Sequence, residues 1–199
     1  SGADRIWNVN PDNHSVTVTS AAGAVVAEIQ VGDRPWSLAK APLANEVFVA
    51  NKGSASISVI STQTLAVLRT IALPVASQPH GLVFPAAGDV FYVALEGLAQ
   101  VDKRVPATGA LQASAALSGH PRHLAVSNDG NTLYVSNFIT PPLPNESDVV
   151  NVSGGGGQLF VVGTSAMTLS QTLGFGTGTH PPSETSGPGI VNYLNAPVL

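Results

Sequence analysis

Cysteine is absent from this 199-residue chain, and charged residues make up only 10 per cent of it, against a usual share of about 25 per cent. Without cysteine there are no disulfides, no zinc–thiolate sites, no covalent haem attachment through CxxCH and no thiol catalysis. Eight lysines and arginines face 12 acidic residues, for a net charge of −4. That leaves no cationic surplus to neutralise phosphates, which excludes a nucleic-acid partner. The acidic excess is also too small to make a polyanionic face. No apolar run approaches the roughly 18 residues of a membrane-spanning helix, so no membrane span is expected. Ser1 to Arg5 is followed by no apolar h-region, so no signal peptide is read there: the leader is already removed, or export does not occur. Low charge and abundant Ser, Thr, Gly, Ala and Val fit an exported protein, periplasmic or extracellular.

What the chain does have is repetition. Val47 to Asn51 reads VFVAN, Phe91 to Leu95 reads FYVAL and Leu133 to Asn137 reads LYVSN, at intervals of 44 and 42 residues. A proline leads each copy by 12 positions: Pro35, Pro79 and Pro121. A worn fourth copy, IWNVN at Ile6 to Asn10, stands 41 residues before the first. Units of this length, built of short alternating strands, mark an all-β β-propeller of four-stranded antiparallel blades. The units run 4–32, 33–76, 77–118 and 119–178, with the start of a fifth at 179–199, all within one domain.

Period-two alternation places the strands. The second unit reads Trp36 to Ala41, Glu46 to Asn51, Ser56 to Ser61 and Leu65 to Leu73. The third reads Gly81 to Phe84, Asp89 to Leu95, Leu98 to Lys103 and Ala110 to Leu117. The fourth reads His123 to Ser127, Asn131 to Phe138, Gln158 to Thr164 and Leu169 to Phe175, and the first has only its outer three strands. Phe48, Tyr92 and Tyr134 fall at one repeat position on the second strand and are expected to be buried between neighbouring blades or beneath the next strand. An insertion at 139–157, rich in Pro and Gly, predicts a protruding loop. A second Gly/Pro/Ser-rich stretch, 176–193, leads to an opening strand at 194–199. Propellers usually close with four to eight blades, whereas four units plus the opening strand of a fifth do not close, and an open arc leaves a raw strand edge. The chain therefore reads as a portion of a seven-bladed ring, with a self-contained four-blade ring as the alternative.

PRHLAVSNDGNTLYVSN at Pro121 to Asn137 and EVFVANKGSASISVISTQTLAVLRTIALP at Glu46 to Pro74 resemble the YVTN family of β-propeller repeats. The likeness covers nearly the whole chain and implies the propeller fold while saying little about function. SGPGIVNYLNAP at Ser186 to Pro197 is similar to a segment of exported YVTN proteins that carry a cytochrome c or di-haem-peroxidase-like module. This likeness implies no cofactor in the chain itself and places any haem in a module beyond Leu199. Partners of the same protein would then be that module or further propeller blades.

In a blade, the loops entering the innermost strand share a face with those joining the second and third strands. That face collects Trp36, His80 and Arg122, one step after the repeat prolines, with His123 and His180 beside them. These five are the candidate ligand-binding residues, offering imidazoles and a guanidinium at the channel mouth. The competing reading makes them rim residues hydrogen-bonded to neighbouring blades. His120 and His123 have neither a metal-fixing spacing nor a companion carboxylate, so no metal site is expected. His14 sits in a turn and reads as structural. No Gly-x-Ser-x-Gly elbow, phosphate loop or carboxylate pair occurs, so no catalytic residue is assigned. Two functions stay open. One is a non-enzymatic scaffold binding a protein partner or small ligand. The other is the propeller portion of a haem-dependent redox protein or a lactonase-like hydrolase.

Overall fold

The computed structural model describes residues 4–138 and 157–175, together with the backbone of 177–178 and 189–190. Blade 1 holds β1 (Arg5–Asn10), β2 (Ser15–Ser20) and β3 (Val25–Gln30). Blade 2 holds β4 (Pro35–Lys40), β5 (Glu46–Asn51), β6 (Ser56–Ser61) and β7 (Val67–Ala72). Blade 3 holds β8 (Pro79–Val83), β9 (Phe91–Leu95), β10 (Gln100–Arg104) and β11 (Leu111–Ala116). Blade 4 holds β12 (Pro121–Val126), β13 (Thr132–Asn137), β14 (Gln158–Gly163) and β15 (Thr168–Gly174). Each blade is an antiparallel meander in chain order, three-stranded in blade 1 and four-stranded in the others. Helix among the described residues is limited to two single turns, Pro11–Asn13 and Glu96–Leu98.

The strand assignment read from the sequence holds within a few residues. The outer strand of blade 2 begins at Val67 rather than Leu65, because Leu65 has φ 55° and closes the preceding turn. Within 176–193, Thr177–Gly178 and Gly189–Ile190 pair as a two-residue antiparallel ladder. Residues 139–156, the opening strand expected at 194–199 and His180 lie outside the described residues.

Burial explains the hydrophobic pattern. The middle strands β5 and β6 are buried on both faces, because blade 2 is sandwiched between blades 1 and 3. The outermost strand β7 buries one residue and exposes most of the rest. Three apolar layers glue blade to blade. Val16, Val18 and Ile29 meet Val47, Val49 and Ile60 between blades 1 and 2. Phe48, Ala50, Ile57 and Val59 meet Leu82, Phe91, Val93 and Leu95 between blades 2 and 3. Tyr92, Ala94 and Val101 meet Leu133, Val135, Phe160 and Val162 between blades 3 and 4. Each layer removes apolar surface from water on both partners, the dominant favourable term in folding. Phe48 and Tyr92 are fully buried at one repeat position, as their spacing implies. Tyr134, at the same position, is half-buried, since no described blade packs on its side of blade 4.

The asparagine ending each repeat motif works as a cross-strand tether. Asn10 Nδ2 donates to Ser15 Oγ and Thr17 Oγ1, and Asn51 Nδ2 to Ser56 Oγ (3.1 Å) and Ser58 Oγ (2.9 Å). Asn137 Nδ2 donates to Gln158 Oε1 at 3.0 Å. Blade 3 has Leu95 instead, and the tether moves one strand outward: fully buried Asp102 accepts from Arg104 Nη2 at 2.7 Å, Ser114 Oγ at 2.6 Å and Gln100 Nε2 at 2.8 Å. A buried carboxylate is tolerable only when paired and hydrogen-bonded in this way.

Candidate functional site

Proline shapes the start of each inner strand. Pro35, Pro79 and Pro121 lack the N–H that a ladder needs, and the register slips just after each of them. The slips span Trp36 in β4, His80 and Gly81 in β8, and Arg122 and His123 in β12. Such irregularities let a strand re-aim side chains, here toward one end of the inner strands. Gly81 shows how closely the strands converge: a Cβ added there would collide with the carbonyl oxygen of Arg122. Ser37 Oγ also donates to the His80 carbonyl, tying β4 to β8.

The loops on this face dock on one another in the same way in blades 2, 3 and 4. The N–H of Lys52 donates to Arg34 O at 2.9 Å, that of Glu96 to Gln78 O at 3.2 Å, and that of Phe138 to His120 O at 2.9 Å. Lys52, Glu96 and Phe138 each follow the last residue of a repeat motif and occupy one structural position. Sequence reasoning missed all three because their side chains share no chemistry. The signal that could have found them is register alone.

Two arrangements result. The first is an aromatic row across three blades: Trp36 and His80 have ring centroids 5.5 Å apart, and His80 meets His123 edge-on at 4.7 Å. The second is an ionic hub on Glu96, which is 7 per cent exposed. Lys52 Nζ lies 2.5 Å from its Oε2, while Arg122 Nε and Nη2 donate to Oε1 at 2.9 and 2.7 Å. His120 Nδ1 lies 3.8 Å from the same oxygen. Lys52 Nζ also sits 5.2 Å from the Trp36 ring centre, and the Arg122 guanidinium stacks 3.3 Å from that of Phe138.

These contacts set the charge states. Burial pushes the Glu96 carboxyl up, but hydrogen bonds from Arg122 and then Lys52, with their charges, bring it below the usual carboxylate range. His80 moves the other way. Burial first, then repulsion from His123 when that ring is protonated and from the Arg122 charge, lower its pKa from 6.5 to about 3. Burial and Arg122 also lower that of His123. Both imidazoles are therefore neutral at physiological pH. Neither nitrogen of His80 has a hydrogen-bond partner among the described residues, although the ring is 1 per cent exposed.

Trp36, His80, Arg122 and His123 thus come together, but at different depths. His80, in the middle blade, is covered from both sides, whereas Trp36 is 42 per cent exposed. His14 is structural: its Nδ1 accepts from the Arg34 N–H at 3.2 Å. Among the described residues, no group of three or more His, Asp or Glu is placed to hold a metal ion. None of the described helices is long and apolar enough to cross a membrane.

A cavity of about 680 Å³ opens at the other end of the strands, lined by Arg5, Trp7, Leu38, Lys40, Asn45 and Gln63. It lies beside β1, whose inner edge has no partner strand among the described residues. Its lining residues form no ion pair with one another among the described residues.

Radial antiparallel meanders glued by apolar layers define a β-propeller. Solved structures bear this out. Hydrazine synthase from Kuenenia stuttgartiensis is similar at 21% identity and a TM-score of 0.73, over 87% of this chain and 46% of that one. Virginiamycin B lyase from Staphylococcus aureus is similar at 12% identity and a TM-score of 0.65, over 87% of this chain and 52% of that one. The match covers about half the length of each of these two chains. No family model matches the chain, and no curated protein does.

Proposed function

We propose that the chain is the propeller portion of an exported, YVTN-type repeat protein that binds a small ligand or a protein partner at the channel mouth, without catalysis of its own. Its units are 4–32, 33–76, 77–118 and 119–178, with a fifth opening at 179, in a ring of seven blades. The observation that carries the reading is convergence: three blades each contribute one residue after the proline and one after the repeat motif to a single cluster around Glu96. Concave clusters of polar groups on a rigid scaffold are what ligand sites are made of. The two neighbours differ in what their names say they do, so the shared scaffold leaves function to the site.

Binding titrations against a library of small metabolites, in parent protein and in Trp36→Ala and Arg122→Gln variants, test the reading. Binding weakened in both variants, with unchanged circular dichroism, supports it. Binding that neither change affects removes the mouth as the site. His80→Ala is a poorer probe, because its buried ring is part of the packing.

A further inference from the structure

Glu96 is saturated. Lys52 takes one of its oxygens and Arg122 the other. Two cations share one anion, so the hub keeps one unit of positive charge. It also keeps unused donors. Lys52 Nζ has three protons and spends one on Glu96, and Arg122 Nη1 makes no hydrogen bond to a described residue. Buried His80 adds two ring nitrogens without partners beneath this charge. The positive field that helps hold His80 and His123 neutral opposes a metal cation and favours an anion. Beside these donors stands the exposed indole of Trp36, a flat apolar platform.

Resting on the binding reading above, we infer that the mouth ligand is a small organic carboxylate with a flat apolar body, its anionic end held by Lys52 and Arg122 and its body laid against Trp36. Charge-assisted hydrogen bonds to a carboxylate are the strong ones, and a partly enclosed site weakens their screening. Neutral imidazole at His80 can donate from one nitrogen and accept at the other, which suits a carboxylate oxygen or a substituent beside it.

Calorimetric titration of the full chain with benzoate, benzamide and benzylamine tests this. Benzoate is expected to bind at least about tenfold more tightly than benzamide, and benzylamine not at all. Lys52→Gln and Arg122→Gln should each weaken benzoate by about tenfold or more, and Arg122→Lys should weaken it too, because an ammonium cannot keep two bonds to Glu96, stack on Phe138 and still offer a free donor. Glu96→Gln, close in shape, frees both cations and should tighten benzoate. Benzamide binding as tightly as benzoate, with both weakened by Trp36→Ala, overturns the anion preference but leaves the mouth standing as the site. Benzoate affinity unchanged by the Trp36, Lys52 and Arg122 substitutions overturns both. Absence of benzoate binding, or Glu96→Gln weakening it, overturns the carboxylate proposal.

Discussion

Replacing Phe48 by alanine removes one of three phenylalanines that pack together in the layer between blades 2 and 3. The ring is fully buried, with Phe84 edge-on at 5.1 Å, Phe91 at 5.2 Å and the Arg69 guanidinium 5.7 Å from its centre. Phe→Ala in a core costs about 3–5 kcal/mol, through lost transfer free energy and the cavity left behind. Aromatic pairs add roughly 0.5–1.5 kcal/mol beyond area, and two are lost here, so the expected cost is about 4 kcal/mol. Tyr134→Ala is the internal control. It changes the same repeat position, but at a half-buried ring, and should cost about 1–2 kcal/mol. Urea unfolding followed by far-ultraviolet circular dichroism reads both as shifts of midpoint at unchanged slope. A cost below about 1 kcal/mol for Phe48→Ala, or equal costs for the two variants, would refute the assignment of this face to the blade interface.

Stability should also depend on pH through His80. Its folded pKa, about 3, lies below the unfolded value near 6.5, so the unfolded state binds the extra proton. Stability is then complete above about pH 6.5 and falls as pH drops toward 3, by up to several kcal/mol. His80→Phe should flatten that slope, as seen by melting temperature against pH, and an unaltered slope would show that His80 is not buried neutral. Gly81→Ala should destabilise by about 1–3 kcal/mol, because the added methyl meets the β12 backbone rather than a movable side chain. Unchanged thermal stability in that variant would mean β8 and β12 do not approach as described.

The propeller was readable because its determinants recur. Each proline marks an inner strand, each VFVAN-like run a doubly buried middle strand, and their spacing the blade. Depth was not readable. Trp36 and His80 share a repeat position, yet one is exposed and the other enclosed, because burial depends on what the neighbouring blades bring. The hub was hidden for a related reason. Lys52, Glu96 and Phe138 are register-equivalent, and only three-dimensional adjacency turns a lysine, a glutamate and an arginine from three blades into one ion cluster. Asn51 and Leu95 carry the same lesson: losing the asparagine tether in blade 3 is offset by Asp102, Arg104 and Ser114, three positions that no single repeat motif includes.

The two tryptophans provide the most direct test of the mouth as the binding site, since Trp36 stands there and Trp7 lines the cavity at the opposite end. Each can be made the sole indole reporter, by Trp7→Phe or by Trp36→Phe, and its emission followed during titration with benzoate. The account predicts a saturable change in the Trp7→Phe protein, which reports Trp36, and none in the Trp36→Phe protein. A saturable response from Trp7 with Trp36 silent would contradict it and move the site to the other end of the blades.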